Sequence, residues 1–250
     1  MTGRFIAVEG ADGSGKSTQA RLLAERLGAV FTREPGGTPL GERIRALVLD
    51  PSGDPPVDRA EALLMAAARA QHVAEVVVPA LAAGRDVVSD RYVASSVAYQ
   101  GYGRGLGADA VLAVNRFATD GLQPDLVVLI TIDARVAVRR LGEDLDRIEQ
   151  AGDAFQAAVV AAYSEMAAED PARWLVVDGN GTIEEVAARV AAAVEGRARV
   201  FDIDAVQGRG EPVRVTFAAH LAVSDDVQTG QLLLTYGEKG GIVLGFLKPF

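Results

Sequence analysis

Short apolar runs alternate with helical periodicity over the first part of the chain, up to about residue 195. The run Leu126–Ile132 is almost continuously apolar and β-branched, which is typical of a strand that is buried on both faces of a parallel sheet. Between such runs the apolar residues recur every three or four positions, as Ala20, Leu23 and Leu27 do, and this spacing predicts amphipathic helices. The pattern predicts five strands, at residues 5–8, 29–31, 86–89, 126–132 and 174–177.

Strands that alternate with helices indicate a doubly wound α/β fold, in which a five-stranded parallel sheet carries helices on both faces. Helices are expected near residues 18–27, 43–48, 57–83 (as two helices), 108–119, from 134, at 153–168 and at 182–194. Ligands of such folds bind outside the carboxyl ends of the strands. The segments Gly10–Thr18, Arg33–Gly37 and Asp90–Tyr92 follow strand ends, so we expect them on one rim of the sheet.

The composition changes after residue 196, where alanine-rich helices give way to β-forming residues. Apolar and polar residues alternate from Val213 to Leu221, which predicts a strand with one buried face and with His220 on the solvated face. Weaker candidate strands lie at 199–206, 231–236 and 242–247. We therefore expect two domains, residues 1–196 and a small β-rich appendage at 197–250. A segment of ~50 residues without disulfides forms a marginal core, so we expect the appendage to dock on the first domain or on a second subunit.

Charge and composition exclude several classes of protein. The 250 residues carry a net charge of −9, which argues against a general binder of nucleic acid or of anionic membranes. Absence of cysteine excludes disulfides and thiolate metal sites. The first strand begins by residue 5, which leaves no room for a signal peptide, and no apolar run reaches the length of a membrane span. We expect a cytoplasmic protein that has neither nucleic acid nor membrane as a partner.

The segment Gly10–Thr18 (GADGSGKST) matches the phosphate-loop pattern G-x-x-x-x-G-K-[ST]. It lies between a predicted strand and a predicted helix, which is the setting that the pattern requires. Glycines let successive backbone amides turn toward phosphate oxygens, and the start of a helix adds its positive dipole end. Lys16 is then expected to reach the terminal phosphates and the Ser17 hydroxyl to hold Mg²⁺.

A phosphate loop indicates a nucleotide but not a reaction. A GTPase needs an N-K-x-D segment to read guanine, and the chain has none. A motor-type ATPase has a strand that ends in an Asp-Glu pair, whereas this strand ends in Asp90-Arg91. The arginine fork binds phosphate at two points, so Arg91 suits the acceptor phosphate of a kinase.

Five separated motifs resemble those of bacterial thymidylate kinases. They are GADGSGKST, TREPGGT, DRYVASSVAYQGYGRG, PDLVVLI and LDRIEQ, and the resemblance covers about residues 4–195. It implies a P-loop nucleoside monophosphate kinase domain at residues 1–196, in most relatives a homodimer. The implied reaction is ATP + dTMP giving ADP + dTDP, with Mg²⁺ as cofactor.

The resemblance also implies roles for residues of the cleft. ATP is expected to bind Gly10, Ala11, Asp12, Gly13, Ser14, Gly15, Lys16, Ser17 and Thr18. The acceptor dTMP is expected to bind Glu34, Arg45, Met65, Arg69, Arg91, Ser95, Ser96, Tyr99 and Gln100. The metal is assigned to Ser17 and Asp90, and catalysis to Asp12, Lys16, Arg91, Arg140 and Arg147.

Individual roles follow from the same resemblance. Arg45 and Arg91 grip the acceptor phosphate, while Arg69 and Gln100, with Ser95 and Ser96 alongside, read the thymine edge. Tyr99 packs beside the sugar and disfavours a ribose 2′-hydroxyl, Asp12 reaches the sugar, and Glu34 shapes the phosphate end of the pocket. A mobile lid spans about residues 140–147, and residues 178–182 lie near adenine.

Two positions depart from the family. Met65 stands where relatives commonly stack an aromatic ring on thymine, and the lid is poor in arginine. Sequence therefore does not separate Arg139, Arg140 and Arg147, and Arg147 is equally well a structural partner of Asp146 or Glu149. His72 is isolated among apolar residues and receives no role. A kinase for another nucleoside or nucleoside monophosphate and a non-catalytic nucleotide-binding regulator remain alternatives.

Overall fold

The structure is a computed structural model that describes residues 3–141 and 145–196, and the backbone of strands at 215–219, 222–223, 226–227, 230–237 and 241–247. The chain forms two units, Met1–Ala191 and Ala192–Phe250. Three expectations lie outside the described residues: the middle of the lid at 142–144, the candidate strand at 199–206, and the placement of His220.

The first unit contains a parallel sheet with the strand order β2-β3-β1-β4-β5. Its strands are β1 (Phe5–Glu9), β2 (Val30–Arg33), β3 (Val87–Asp90), β4 (Leu126–Thr131) and β5 (Trp174–Asp178). The predicted fold class is confirmed. Several strands run one or two residues further than predicted, because polar residues such as Glu9, Arg33 and Asp90 continue the ladder at the carboxyl ends.

The helices follow the predicted order. They are α1 (Lys16–Leu27), α2 (Pro39–Leu49), α3 (Asp58–His72), α4 (Val78–Ala82), α5 (Val93–Ser96), α6 (Ala108–Thr119), α7 (Ala134–Leu141), α8 (Asp153–Glu169) and α9 (Ile183–Glu195). A wider π-helical turn, Val73–Val77, joins α3 to α4, and a second one, Val97–Gly103, continues α5. The stretch predicted as two helices over 57–83 is therefore continuously helical from Asp58 to Ala82.

The core covers both faces of the sheet. All residues of β1 are buried, which requires packing on each side of this central strand. On one side Phe5 and Ala7 pack with Val77 and Ala80, from the π-helical turn and α4. A separate cluster packs Leu129 of β4 with α8 on this same side, because Leu129 pairs with Glu9. The alternate residues Ile6 and Val8 are buried on the other side. Among the described helices, none combines the length and the apolar character that a membrane crossing demands.

The second unit contains strands of both a larger and a smaller antiparallel sheet. The strands β6 (Val215–Ala219), β9 (Gly230–Gly237) and β10 (Gly241–Leu247) form the larger sheet, in the order β10-β9-β6. The strands β7 (Ala222–Val223) and β8 (Asp226–Val227) pair with each other. The predicted strands at 213–221, 231–236 and 242–247 overlap β6, β9 and β10.

Candidate active site

The expected rim is present at the carboxyl ends of β1, β2 and β3. Asp90 at the end of β3 lies in register with Val8 of β1 and with Arg33 of β2. Beyond the strands the backbone amide of Glu34 donates to the Asp90 carbonyl at 2.9 Å, and the Arg91 amide donates to the Val8 carbonyl at 3.0 Å. Hydrogen bonds between adjacent strands therefore hold the three predicted segments side by side.

The phosphate loop closes tightly over the start of α1. Gly13 has a φ of 77°, and a methyl group added to it would lie 2.6 Å from the carbonyl oxygen of Ala137 on α7. Only glycine combines this backbone conformation with such a close approach. Lys16 is buried, and its Nζ donates to Asp12 Oδ1 at 3.1 Å, whereas Ser17 is exposed at the helix start.

A cleft enclosing about 980 Å³ of empty space, part of it open solvent, lies against this rim. Predicted residues that line it are Asp12, Lys16, Ser17, Glu34, Arg45, Met65, Arg69, Asp90, Arg91, Ser95, Ser96, Tyr99 and Gln100. Residues that were not predicted also line it: Arg21, Phe31, Arg33, Pro35, Leu49, Asp146, Ile148 and Glu149. The described lining thus brings Arg45, Arg69 and Arg91 to one cleft with Lys16, as a site for two phosphorylated ligands requires.

Asp12 joins the phosphate loop to the segment after β3. Its carboxylate contacts Lys16, the Arg91 guanidinium and, at 2.8 Å, the Tyr99 hydroxyl. Burial by itself would raise the pKa of Asp12, but the charges of Arg91 and Lys16 outweigh burial and lower this pKa to about 2. Asp12 is therefore ionised at neutral pH and holds two cations at the centre of the cleft.

Arg91 is aimed into the cleft by an unusual backbone and a buried carboxylate. Its φ of 71° lies in the left-handed region, which non-glycine residues rarely occupy. Directly after it, the Tyr92 amide donates to Glu9 Oε1 at 2.8 Å, and the Ser95 hydroxyl donates to Glu9 Oε2 at 2.7 Å. Glu9 is fully buried, and burial raises its pKa. This carboxyl group therefore fixes the turn from which the Arg91 side chain projects.

Arg69 is held by four residues. Its Nε donates to Glu34 at 2.6 Å, one terminal nitrogen reaches both Ser96 Oγ and Asn115 Oδ1, and the other donates to the Tyr92 carbonyl at 3.0 Å. A guanidinium has five N–H groups, so four of them are used. One N–H group of Arg69 remains for a ligand in the cleft that this residue lines.

His72, to which no role was assigned, completes this buried network. Its Nδ1 lies 2.7 Å from Glu34 Oε1, and its Nε2 lies 2.6 Å from the Thr32 hydroxyl. Burial opposes ionisation of Glu34, but Arg69 and the hydrogen bond from His72 outweigh it and lower the pKa of Glu34. Because a carboxylate only accepts hydrogen bonds, His72 donates from Nδ1. Glu34 thus orients Arg69 from inside the protein.

The structure separates the lid arginines. Arg140, on α7, donates to the carbonyl oxygens of Ser14 at 3.5 Å and of Gly179 and Gly181 at 3.3 Å, so it lies between the phosphate loop and the segment expected near adenine. Arg147 donates to Glu61 at 2.6 Å and to the Val48 carbonyl at 2.8 Å. Neither side chain is part of the described cleft lining.

The structural partner expected for Arg147 was wrong. Asp146 Oδ1 instead accepts the backbone amides of Ile148 and Glu149, at 2.8 and 2.9 Å. Glu149 Oε2 accepts the Asp146 amide at 2.9 Å. Both carboxylates cap their own turn, so Arg147 finds its partner on α3, far away in the sequence.

Two buried oxygens at the rim have no partner among the described residues, Asp90 Oδ1 and Ser14 Oγ. A buried polar atom without a partner is costly, so each suits a ligand that supplies the missing contact. Asp90 lines the cleft beside the exposed Ser17. Within the residues that the structure describes, no cluster of three His, Cys, Asp or Glu side chains could hold a metal ion. A hard cation here would rely on hydroxyl, carboxylate and ligand oxygens.

Comparison with known proteins gives the family. The family model for thymidylate kinase matches residues 8–190. The chain belongs to the thymidylate kinase family. A thymidylate kinase of Leifsonia xyli subsp. xyli is 51% identical over 203 residues, which cover 78% of this chain and 96% of that protein. One from Pelotomaculum thermopropionicum is 48% identical over 188 residues, covering 72% of this chain and 87% of the relative.

A solved member of the family shares the fold. The crystal structure of thymidylate kinase from Ehrlichia chaffeensis matches with a TM-score of 0.65 and 29% identity, and it covers 78% of this chain and 100% of its own. The resemblance drawn from the five motifs is thereby confirmed. The matched residues of the family model end at 190, before the strands of the second unit.

Sequence reasoning missed several buried polar residues around the site: Glu9, Glu61, His72, Asn115 and Tyr163. One signal was present. Glu61, Met65, Arg69 and His72 are spaced by three or four residues and share one buried face of α3 with apolar neighbours. Charged residues on an otherwise apolar helical face indicate a buried network, since such groups are rarely buried without a partner.

Proposed function

We propose that this chain transfers the γ-phosphoryl group of ATP to dTMP, giving ADP and dTDP, with Mg²⁺ as cofactor. One observation carries the proposal. Lys16 of the phosphate loop and the arginines 45, 69 and 91 line a single cleft. A nucleotide hydrolase needs one phosphate site, whereas a nucleotide kinase needs cationic groups for a donor and an acceptor together.

The acceptor phosphate binds Arg45 and Arg91. Arg45 is half-buried, and its guanidinium donates to the Pro35 carbonyl at 3.2 Å. Burial and the neighbouring charge of Arg33 lower the pKa of Arg45, and Arg91 acts in the same direction. Crowding of like charges in a half-buried site is unfavourable until an anion arrives. A phosphate dianion between these guanidinium groups relieves the repulsion, which favours binding at this place.

The base binds at the end of the cleft formed by Met65, Arg69 and Gln100. Met65 supplies an apolar surface that packs on a ring face, though less rigidly than an aromatic side chain. The N–H group that Arg69 has left faces a carbonyl of the base, with Ser95 and Ser96 alongside. Tyr99 and Asp12 adjoin the sugar between base and phosphate.

The donor nucleotide binds the loop from Gly10 to Thr18 at the start of α1, with Lys16 on its terminal phosphates. Residues 178–182 border the adenine, and Arg140 lies between them and the loop. The Ser17 hydroxyl and the Asp90 carboxylate would hold Mg²⁺, because Ser17 is exposed and Asp90 Oδ1 lacks a partner among the described residues. The metal would supply positive charge that neutralises the phosphates.

Transfer requires alignment and charge neutralisation more than acid–base chemistry. An oxygen of the acceptor phosphate forms the new bond to the γ-phosphorus as the bond to the β-γ bridging oxygen breaks, and ADP leaves with that oxygen. Arg91 and Lys16 stabilise the negative charge that spreads during transfer. Asp12 keeps both cations in place, and its low pKa means that it is ionised when they are needed. Arg140, which contacts the Ser14 carbonyl of the phosphate loop, is the lid cation that we assign to the donor phosphates.

A coupled assay of ADP formation tests the proposal. We expect ADP only when a monophosphate acceptor is added, and therefore none with thymidine. The rate should be fastest with dTMP, slower with dUMP and slowest with UMP. A higher rate with another nucleotide would favour the alternative of a different nucleotide kinase. Nucleotide binding without any acceptor-dependent ADP would favour the non-catalytic regulator.

Assembly, location and the second unit complete the proposal. We infer a homodimer in the cytoplasm, with the β-rich residues 197–250 as a C-terminal extension of the kinase domain. Exposed apolar side chains of α6, such as Phe117 at 92% exposure, support a partner surface. Sedimentation of the full chain and of a chain ending at Gly196 tests both ideas. An equal number of subunits and equal activity per subunit in the two chains would show that the extension contributes to neither assembly nor catalysis.

A further inference from the structure

A fully buried carboxylate, that of Glu61 on α3, contacts Gln100, which lines the cleft. Its Oε1 accepts from Gln100 Nε2 at 2.9 Å and from Arg104 Nε at 3.3 Å. Its Oε2 accepts from Arg147 at 2.6 Å and from Arg104 at 3.1 Å. Each oxygen therefore carries two donors, and two of the surrounding side chains are cationic.

This surrounding keeps Glu61 an acceptor. Burial opposes ionisation, but the hydrogen bonds from Gln100, Arg147 and Arg104 outweigh it and lower the pKa of Glu61. An ionised carboxylate accepts hydrogen bonds and never donates one. Of the two ends of the Gln100 carboxamide, only the NH₂ end can face Glu61.

The opposite end of that carboxamide is then fixed as well. Gln100 lines the cleft, and its Oε1 accepts no hydrogen bond from the described residues. A free glutamine amide can turn over and exchange its donor and acceptor ends at little cost. Glu61 removes that freedom, so Gln100 offers the cleft an acceptor.

We propose that Glu61 is a positioning residue for base selection, which acts by holding Gln100 as an acceptor. The inference rests on the proposed function. Gln100 and Arg69 line the same cleft, so Gln100 Oε1 and the remaining N–H of Arg69 offer it an acceptor and a donor. This pair matches a pyrimidine that presents N3–H beside a 4-carbonyl, as thymine and uracil do. Cytosine presents an N3 acceptor beside a 4-amino donor, which places like groups against each other.

The test compares wild type with Glu61→Gln on three acceptors, dTMP, dCMP and dUMP, at saturating ATP. A glutamine at 61 either donates or accepts, so Gln100 becomes free to turn over. We expect the ratio of kcat/KM for dTMP over dCMP to fall at least about tenfold, mainly through the KM for dTMP. The ratio for dTMP over dUMP should stay within about twofold, because these two bases share the same edge. A residue with only a structural role would lower all three activities alike.

Asp58→Asn is the matched control. Asp58 also lies on α3 and its carboxylate is 3.7 Å from Arg104, but it does not contact Gln100 in the described structure. This variant should keep both ratios. If Glu61→Gln does not fold, Glu61→Asp decides: its shortened carboxylate keeps the charge but withdraws from Gln100, and we expect the dTMP over dCMP ratio to fall about threefold or more.

The outcomes are distinct. An unchanged dTMP over dCMP ratio in the folded variant overturns the role of Glu61, while wild-type activity on dTMP leaves the proposed function standing. A wild type that makes no ADP with dTMP overturns the proposed function, and the inference with it. Selective loss of dTMP over dCMP discrimination supports both.

Discussion

The acceptor half and the donor half of the proposed site are built differently. The acceptor half consists of α3 with Glu61, Met65 and Arg69, and of residues 91–100. Glu61 and Arg69 are buried there and each has several partners, as Arg69 has four. The donor half consists of the loop 10–18, Arg140 and residues 178–182. There Ser17, Thr18 and Arg140 are exposed, and Arg140 makes only contacts of 3.3–3.5 Å to carbonyl oxygens.

This difference follows from what each half has to recognise. A base is distinguished by a few hydrogen bonds, and these discriminate only when donors and acceptors are fixed before binding. A triphosphate is held by backbone amides and positive charge, so one of the cations that bind it can lie on a lid that closes after ATP has bound. We therefore expect substitutions in the acceptor half to change stability and base choice, and those in the donor half to change the rate.

The largest effect is expected where the halves meet. Arg91 contacts Asp12 of the loop and Ser95 of the acceptor half. Arg91→Met removes the charge that opposes the transferring phosphoryl group, so kcat/KM for dTMP should fall by about 10³ or more. Steady-state kinetics measure the loss, with circular dichroism as a check on folding. A fall of less than about tenfold in a folded variant would mean that Arg91 does not contact the reacting phosphates.

The buried pair of the acceptor half should dominate stability. Glu34→Gln leaves the Arg69 guanidinium, 3% exposed, without a counter-charge, and unfolding free energy should fall by about 3 kcal/mol. Glu42→Gln is the matched control, because its pair with Arg33 is exposed and should contribute less than about 1 kcal/mol. Urea denaturation of both variants checks the difference. Equal losses of unfolding free energy in the two variants would show that the buried pair of Glu34 and Arg69 contributes no more to stability than the exposed pair of Glu42 and Arg33.

A smaller effect is expected in the donor half. Arg140→Ala should lower kcat about tenfold, because a lid cation assists charge neutralisation only during transfer. The KM for dTMP should stay within about twofold, and so should the urea midpoint, since Arg140 is exposed. Initial-rate kinetics, with ATP and dTMP varied in turn, separate the effect on kcat from the effect on KM. A raised KM for dTMP instead would place Arg140 on the acceptor side.

The smallest effect concerns acid. The pKa of Asp12 is about 2 in the folded chain and ~3.9 when unfolded, so its ionised form adds stability above pH ~4 that is lost as pH falls toward 2. Between pH 5 and pH 3 wild type should lose about 1 kcal/mol more than Asp12→Asn does. Urea titrations at the two pH values measure this. Parallel losses would mean that Asp12 is not paired with Lys16 and Arg91 in solution.

The fold could be predicted because its signals are local. A strand, a phosphate loop and a helix follow one another in the sequence, and Thr182 with Glu185 forms a capping box at the start of α9. Most residues that line the cleft were also predicted, since they lie in continuous motifs after strand ends.

The buried networks could not be predicted, because their partners are distant in the sequence. Glu61 is 86 residues from Arg147, and Arg69 is 46 residues from Asn115. Nothing in the spacing of either pair distinguishes it from many others. The wrong partners proposed for Arg147 show this, as the nearest carboxylates were preferred to one on another helix.

Gly13 approaches the carbonyl oxygen of Ala137 so closely that the phosphate loop packs directly on the backbone of α7. A methyl group at residue 13 would clash with α7, the helix that carries Arg140, and would push the two apart. The backbone of the loop and the backbone of α7 therefore adjoin here, with no side chain of residue 13 between them. The absence of a side chain at residue 13 thus determines how close α7, and the lid that follows it, can lie to the phosphate loop.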